Sequence, residues 1–108
     1  MPDELHTVIE TETYLRSAER LMTEAERAAV VDFFAGNPQS GDVIPGAGGL
    51  RKVRVPLAGR GKRGGARVIS CFVGRRGVYL LLAYAKNEQV NPTPEQARIL
   101  ARLVEDLS

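Results

Sequence analysis

The chain has 108 residues, 44% of them hydrophobic and 26% charged, with a formal net charge of +2. This is enough for one domain with its own core, and it excludes two domains or a chain disordered throughout. A single cysteine, Cys71, excludes an internal disulfide and a cysteine-built zinc site; it stands in an apolar run and reads as a small core residue. No apolar run approaches the roughly 20 residues of a membrane helix. Asp3, Glu4, Glu10, Glu12 and Glu19 stand where a signal peptide would be apolar. A cytoplasmic protein without membrane contact is expected.

In chain order, residues 6–11 (HTVIET) read as a weak first strand and 14–22 (YLRSAERLM) as a first helix. Thr23-Glu24-Ala25-Glu26 fits a capping box, so a second helix runs over 24–35 with Val30, Val31 and Phe34 as its apolar stripe. Gly36-Asn37-Pro38 ends it, with glycine expected in a left-handed cap and proline blocking continuation. Residues 40–49 (SGDVIPGAGG) read as a glycine-rich loop. Residues 50–57 (LRKVRVPL) alternate, with Val53 and Val55 on one face and Lys52 and Arg54 on the other. Residues 66–73 (ARVISCFV) form a fuller apolar strand, and 78–84 (VYLLLAY) a buried central one. Arg75-Arg76-Gly77 turns between these two, which makes them a hairpin. Thr93, Pro94 and Gln96 open the last helix with a second capping box, and Leu100, Leu103, Val104 and Leu107 give its buried face. The order β-α-α-β-β-β-α predicts a single α+β domain over 1–108, a mainly antiparallel sheet with its helices on one face.

The small net charge hides a segregation. Residues 1–42 hold nine acids and three bases. Residues 43–87 hold ten bases and no acid: Arg51, Lys52, Arg54, Arg60, Lys62, Arg63, Arg67, Arg75, Arg76 and Lys86. Ordinary surfaces mix the two signs. A long acid-free stretch points instead to a polyanionic partner, with nucleic acid the leading candidate.

Residues 59–64 (GRGKRG) match a dinucleotide-binding glycine pattern letter for letter. That pattern works only between a strand and a helix, because the helix N-terminus receives the pyrophosphate. Here the glycines lead into a strand. A Walker motif is absent too, since Lys62 is followed by Arg63 and not by serine or threonine. The stretch is a loop, either a plain turn or a phosphate-gripping arm with Arg60, Lys62 and Arg63 at its tip.

His6 is the only histidine and has no cysteine or serine motif beside it, so neither a metal site nor a serine triad is expected. What remains is chemistry done by lysine, arginine and tyrosine. Transesterification at an RNA phosphate suits that set, because RNA supplies its own nucleophile, the 2′-hydroxyl. Arginine clamps two phosphoryl oxygens at once, and fixed positive charge is worth most where negative charge develops. A lysine among cations is moved toward use as a base. Lys52, between Arg51 and Arg54, reads either as that lysine or as a solvated strand lysine.

LRKVRV, then GRGKRGGARVIS, then YLLLAYAKNE, in that order, resemble the RelE/ParE toxin superfamily. GDVIPGAGGLRKVR with GKRGGARVI is the most specific part, and it resembles the HigB-type branch. The resemblance runs from the first strand to the last helix. It implies a small RelE-like fold and the toxin of a type II toxin–antitoxin system. Such a toxin is an endoribonuclease without metal or cofactor; it cuts mRNA in the ribosomal A site and leaves a 2′,3′-cyclic phosphate. Implied partners are the ribosome, mRNA and a cognate HigA-like, DNA-binding antitoxin.

Position by position, the family's basic pair on the first long strand falls on Lys52 and Arg54. Its arginine opening the next strand falls on Arg67, and its basic pair after the last strand falls on Lys86 and Asn87. RelE usually has arginine at the second of these, so Asn87 is a departure. No tyrosine follows Tyr84, so the family's base-stacking role is vacant or taken by Tyr84. Arg51, Arg60, Lys62 and Arg63 are expected RNA contacts. Strict alternation puts Arg67 on the face of Ile69 and Cys71, an arginine in an apolar row. Two alternatives stand beside the nuclease: a ParE-like gyrase inhibitor on the same fold, and a nucleic-acid-binding module without catalysis.

Overall fold

The computed structural model describes residues 4–56 and 65–107. The elements run β1 (Val8–Glu10), α1 (Glu12–Glu19), α2 (Glu24–Gly36), β2 (Asp42–Val43), β3 (Arg51–Val55), β4 (Ala66–Val73), a 3₁₀ turn (Gly74–Arg76), β5 (Gly77–Ala85) and α3 (Pro94–Leu107). The five strands form one open sheet in the order β1-β5-β4-β3-β2. Only β1 and β5 pair in parallel; the other neighbours are antiparallel. The molecule is an α+β domain with three helices. The two-residue β2 lies inside the segment expected to be wholly loop, which adds one strand to the expected order.

Both predicted capping boxes are present. Thr23 Oγ1 accepts from the Glu26 amide at 3.1 Å while Glu26 accepts from the Thr23 amide at 2.8 Å. Thr93 and Gln96 repeat the arrangement at 3.1 and 3.0 Å. The first helix begins earlier than expected because Thr11 caps it. Thr11 Oγ1 also donates to the Leu80 carbonyl at 2.8 Å, which ties the helix start to the sheet. Ser17 Oγ accepts from the Ala83 amide at 2.9 Å. That bond satisfies β5 beyond the last residue that β1 covers. Gly36 ends α2 without a left-handed conformation, and Asn37 is the cap residue. Glycine is required at Gly77, where φ is 114° and an added Cβ would collide with the Thr7 carbonyl.

The expectation that all helices lie on one face is wrong. Ala66, Val68, Val78, Leu80, Ala83 and Val53 pack with Tyr14, Ala18, Val30 and Phe34 of α1 and α2. The alternate residues Ile69, Cys71, Tyr79, Leu81 and Tyr84 pack with Ala97 and Leu100 of α3 and with Ile44, Ala47 and Leu50. The sheet is therefore covered on both sides. The unbroken apolar run of β5 is the sequence signal for this, since a strand with one wet face alternates. A bulge opposite Ile69 and Ser70 shifts the β5 register, so Leu81 and Leu82 both belong to the α3 side. Leu107, expected in the buried face of α3, is 43% exposed; Ala97 takes that place nearer the helix start. Cys71 is buried, and burial pushes its thiol up. Among the described residues, no helix is long and apolar enough to cross a membrane.

Candidate functional site

The register builds the site. Arg54 of β3 stands opposite Arg67 of β4, and Arg67 stands opposite Tyr84 of β5. The three form one row across three strands, with neighbouring Cβ atoms roughly 5 Å apart. Lys52 lies two residues from Arg54 on the same face, in register with Ile69. Strand alternation alone thus gathers two guanidinium groups, an ammonium and a phenol on the α3 side of the sheet. Two arginines directly opposite one another repel, so the pair costs stability. Among the described residues none of these three cations has a carboxylate within ion-pair distance, whereas Arg16 pairs with Glu12.

Arg67 settles the tension noted in the sequence. It is half-buried on the apolar face, at the second residue of its strand. Its Nη1 atom is buried and has no hydrogen-bond partner. Gly65, at the strand entrance, leaves that space open: a Cβ there would sit 3.7 Å from Arg67 Nη1 and 3.2 Å from the Val55 carbonyl. A buried guanidinium donor without an acceptor costs stability and suits an anionic one.

Tyr84 is buried, and its hydroxyl donates to the Val90 carbonyl at 2.9 Å. Burial pushes the phenol up, against the opposing pull of Arg67. It stays protonated and able to donate. Lys52 Nζ donates to the same Val90 carbonyl at 3.1 Å and to Asn91 Oδ1 at 2.7 Å. In this state it acts as a hydrogen-bond donor.

The remaining expected residues divide. Lys86 and Asn87 are exposed in the turn after β5, at the end of the sheet where Ala85 pairs with Ala66. That turn is closed by Glu88, whose amide donates to the Ala85 carbonyl at 3.0 Å and whose carboxylate accepts from the Ala85 amide at 2.7 Å. Arg51 does not join the row. It pairs with Ser70 on the α1–α2 side, and its Nη1 donates to the Gly41 carbonyl at 3.0 Å. Arg60, Lys62 and Arg63, with the whole GRGKRG stretch, lie outside the described residues. Among the described residues, no group of three or more His, Cys, Asp or Glu side chains is placed to hold a metal ion.

Sequence reasoning missed Gly65, Val90 and Asn91. Gly65 had a local signal, a glycine beside an arginine-bearing strand start. The contacts of Val90 and Asn91 with Lys52 span 38 and 39 residues and have none. The site as a whole is a cationic face with a phenol hydroxyl at one end of its row. No family model matches the chain.

Proposed function

We propose that the chain is a RelE-like, HigB-type toxin that cleaves mRNA on the ribosome and so inhibits translation. The observation that carries this reading is the Arg54–Arg67–Tyr84 row, free of carboxylates and holding a buried guanidinium donor with no partner. The row suits a phosphodiester. Arg54 and Arg67 hold the non-bridging oxygens and stabilise the charge that builds on them. The 2′-oxygen of the RNA attacks phosphorus as the bond to the 5′-oxygen breaks. Tyr84, kept protonated by its burial, gives its proton to the leaving 5′-oxygen. The 2′ proton passes to solvent, while Lys52, released from Val90 and Asn91, donates to the phosphoryl group. The products are a 2′,3′-cyclic phosphate and a 5′-hydroxyl end. Lys86 and Asn87 lie where the RNA leaves the row, and the cognate antitoxin is the protein partner that silences the site.

The test is incubation of the protein with translating ribosomes, with mRNA ends mapped by primer extension. The expected result is codon-positioned cuts. Arg67→Ala slows them by about 100-fold or more, the scale of losing one fixed donor at a developing charge. Lys86→Ala slows them less. Cuts in naked RNA identify a free ribonuclease instead, and RNA binding without cuts identifies a binding module. Growth arrest that survives both substitutions, together with gyrase inhibition, overturns the nuclease reading.

A further inference from the structure

Two donors of the candidate site converge on one backbone oxygen. Lys52 Nζ, from β3, and the Tyr84 hydroxyl, from β5, both donate to the Val90 carbonyl, at 3.1 and 2.9 Å. Val90 belongs to the connector between β5 and α3. From these contacts we infer that Lys52 and Tyr84 form a seat for one phosphoryl oxygen of a polynucleotide, that the Val90 carbonyl fills this seat, and that residues 88–92 are a strap that leaves when RNA enters. The inference rests on the RNA-cleaving reading and adds its regulation.

The strap is held down almost entirely by the groups that substrate needs. Asn91 Oδ1 takes a second Lys52 donor at 2.7 Å. The Val90 side chain is 75% exposed, so no apolar burial pins that residue. Gln89 Nε2 donates to the Asn91 carbonyl at 3.3 Å and to Gln96 Oε1 at 3.1 Å, contacts internal to the connector and the first turn of α3. The two ends are fixed, at the Ala85–Glu88 turn and at the Thr93 cap with buried Pro92 beside it. Between fixed ends, the closed position depends on three hydrogen bonds to neutral acceptors. A phosphoryl oxygen carries charge: it adds Coulomb attraction to the two Lys52 bonds and makes the Tyr84 bond charge-assisted, roughly twice as strong as a neutral one. RNA therefore displaces the strap by replacing its acceptors, and Lys52 and Tyr84 exchange partners without moving strand. A protein whose open form is a minority binds with an affinity reduced by that fraction.

Asn91→Ala tests this, since Asn91 is exposed and its loss removes only a strap contact. Two readings are taken on wild type, Asn91→Ala and Arg67→Ala. One is the rate of Lys52 reductive methylation without RNA, followed by mass spectrometry; the other is the affinity for a short RNA oligonucleotide. With Asn91→Ala we expect Lys52 methylation to quicken and RNA to bind roughly three- to tenfold more tightly. Unchanged methylation overturns the strap, because Lys52 was then never restrained. Faster methylation with unchanged or weaker RNA binding also overturns it, and makes Asn91 a brace that orients Lys52. If wild type binds RNA, Arg67→Ala loses it and Asn91→Ala changes nothing, the strap fails while the function stands. If neither wild type nor Asn91→Ala binds RNA, both go.

Discussion

The two faces of the sheet are made from the same three long strands and are finished differently. On the α1–α2 side, Val53, Ala66, Val68, Val78 and Leu80 are sealed by two helices, with Arg51 and the buried Ser70 the polar residues of that face. On the α3 side only part of the surface is like that. Ile69, Cys71, Tyr79 and Leu81 meet α3, while Lys52, Arg54 and Arg67 stand on the same face and meet no carboxylate among the described residues. A sealed face needs apolar residues at every second position. A face that is to hold an anion must give some of that up, and here cations take both α3-side positions of β3 and the first of β4. The cationic row is thereby placed on the side of the strand layer opposite α1 and α2. Alternation makes this possible, because neighbours in sequence never share a face.

The largest expected effect tests that division directly. Phe34 is fully buried in the α1–α2 core. Phe34→Ala should cost about 3–5 kcal/mol in stability, the usual range for removing a buried phenylalanine. Chemical denaturation measures the loss. RNA affinity of the folded fraction should stay at the wild-type level. Arg67→Ala should do the reverse, with RNA binding lost and stability kept or gained, since it removes a repelling charge and an unpartnered buried donor. A loss of RNA binding in Phe34→Ala at full folding would break the comparison, because the two faces would then be coupled.

Much of this was legible in the sequence, and the limits have physical causes. β4 was readable to the residue because its apolar run ends at glycine on one side and at an arginine turn on the other. The helix starts of α2 and α3 were readable because a capping box is complete within four residues. Lys52 and Arg54 could be placed together because alternation is local. β2 was not readable, since two residues paired to Lys52 and Arg51 carry no pattern of their own. The bulge at Leu81 and Leu82 was hidden inside a run where every residue is apolar. Cover on both faces is legible too, because a strand as apolar throughout as β5 needs it, and the expectation of helices on one face leaves that out. The contacts of Lys52 with Val90 and Asn91 were beyond reach, because they join residues 38 and 39 positions apart.

The next effect belongs to the sealed face and is read through pH. Tyr14 is fully buried and its hydroxyl has no hydrogen-bond partner. Burial, with Glu10 adding to it and Arg27 opposing, pushes the phenol from the ordinary 10.0 up to about 12. An acid that holds its proton more tightly when folded contributes stability that is intact below the unfolded value. That contribution is lost as pH rises through the folded one. Wild type should therefore lose stability between pH 10 and about 12 more steeply than Tyr14→Phe does. At neutral pH the substitution should cost nothing, because no hydrogen bond is given up. Thermal melts at several pH values check both halves, and parallel curves for the two proteins would show that Tyr14 is wetter than its burial states.

The smallest effect is the most discriminating, because it applies one chemical change to both faces. Thr23 caps α2 on the sealed side and Thr93 caps α3 at the end of the strap, each in a capping box of the same kind. Replacing either threonine by alanine should cost about 1 kcal/mol. The stability loss should therefore be nearly equal. The functional consequence should not be. Thr23→Ala changes a helix start remote from the Arg54–Arg67–Tyr84 row, and RNA affinity should not move. Thr93→Ala removes the Oγ1 that accepts from the Gln96 amide, while the Gln96 side chain still accepts from the residue-93 amide and from Gln89, so the fixed end of the connector is loosened. Lys52 methylation should then quicken as it does in Asn91→Ala, though less, because the Val90 and Asn91 acceptors are still present. Equal methylation in the two threonine variants would mean that the strap is anchored by its own contacts with Lys52 and Tyr84 and owes nothing to the helix behind it.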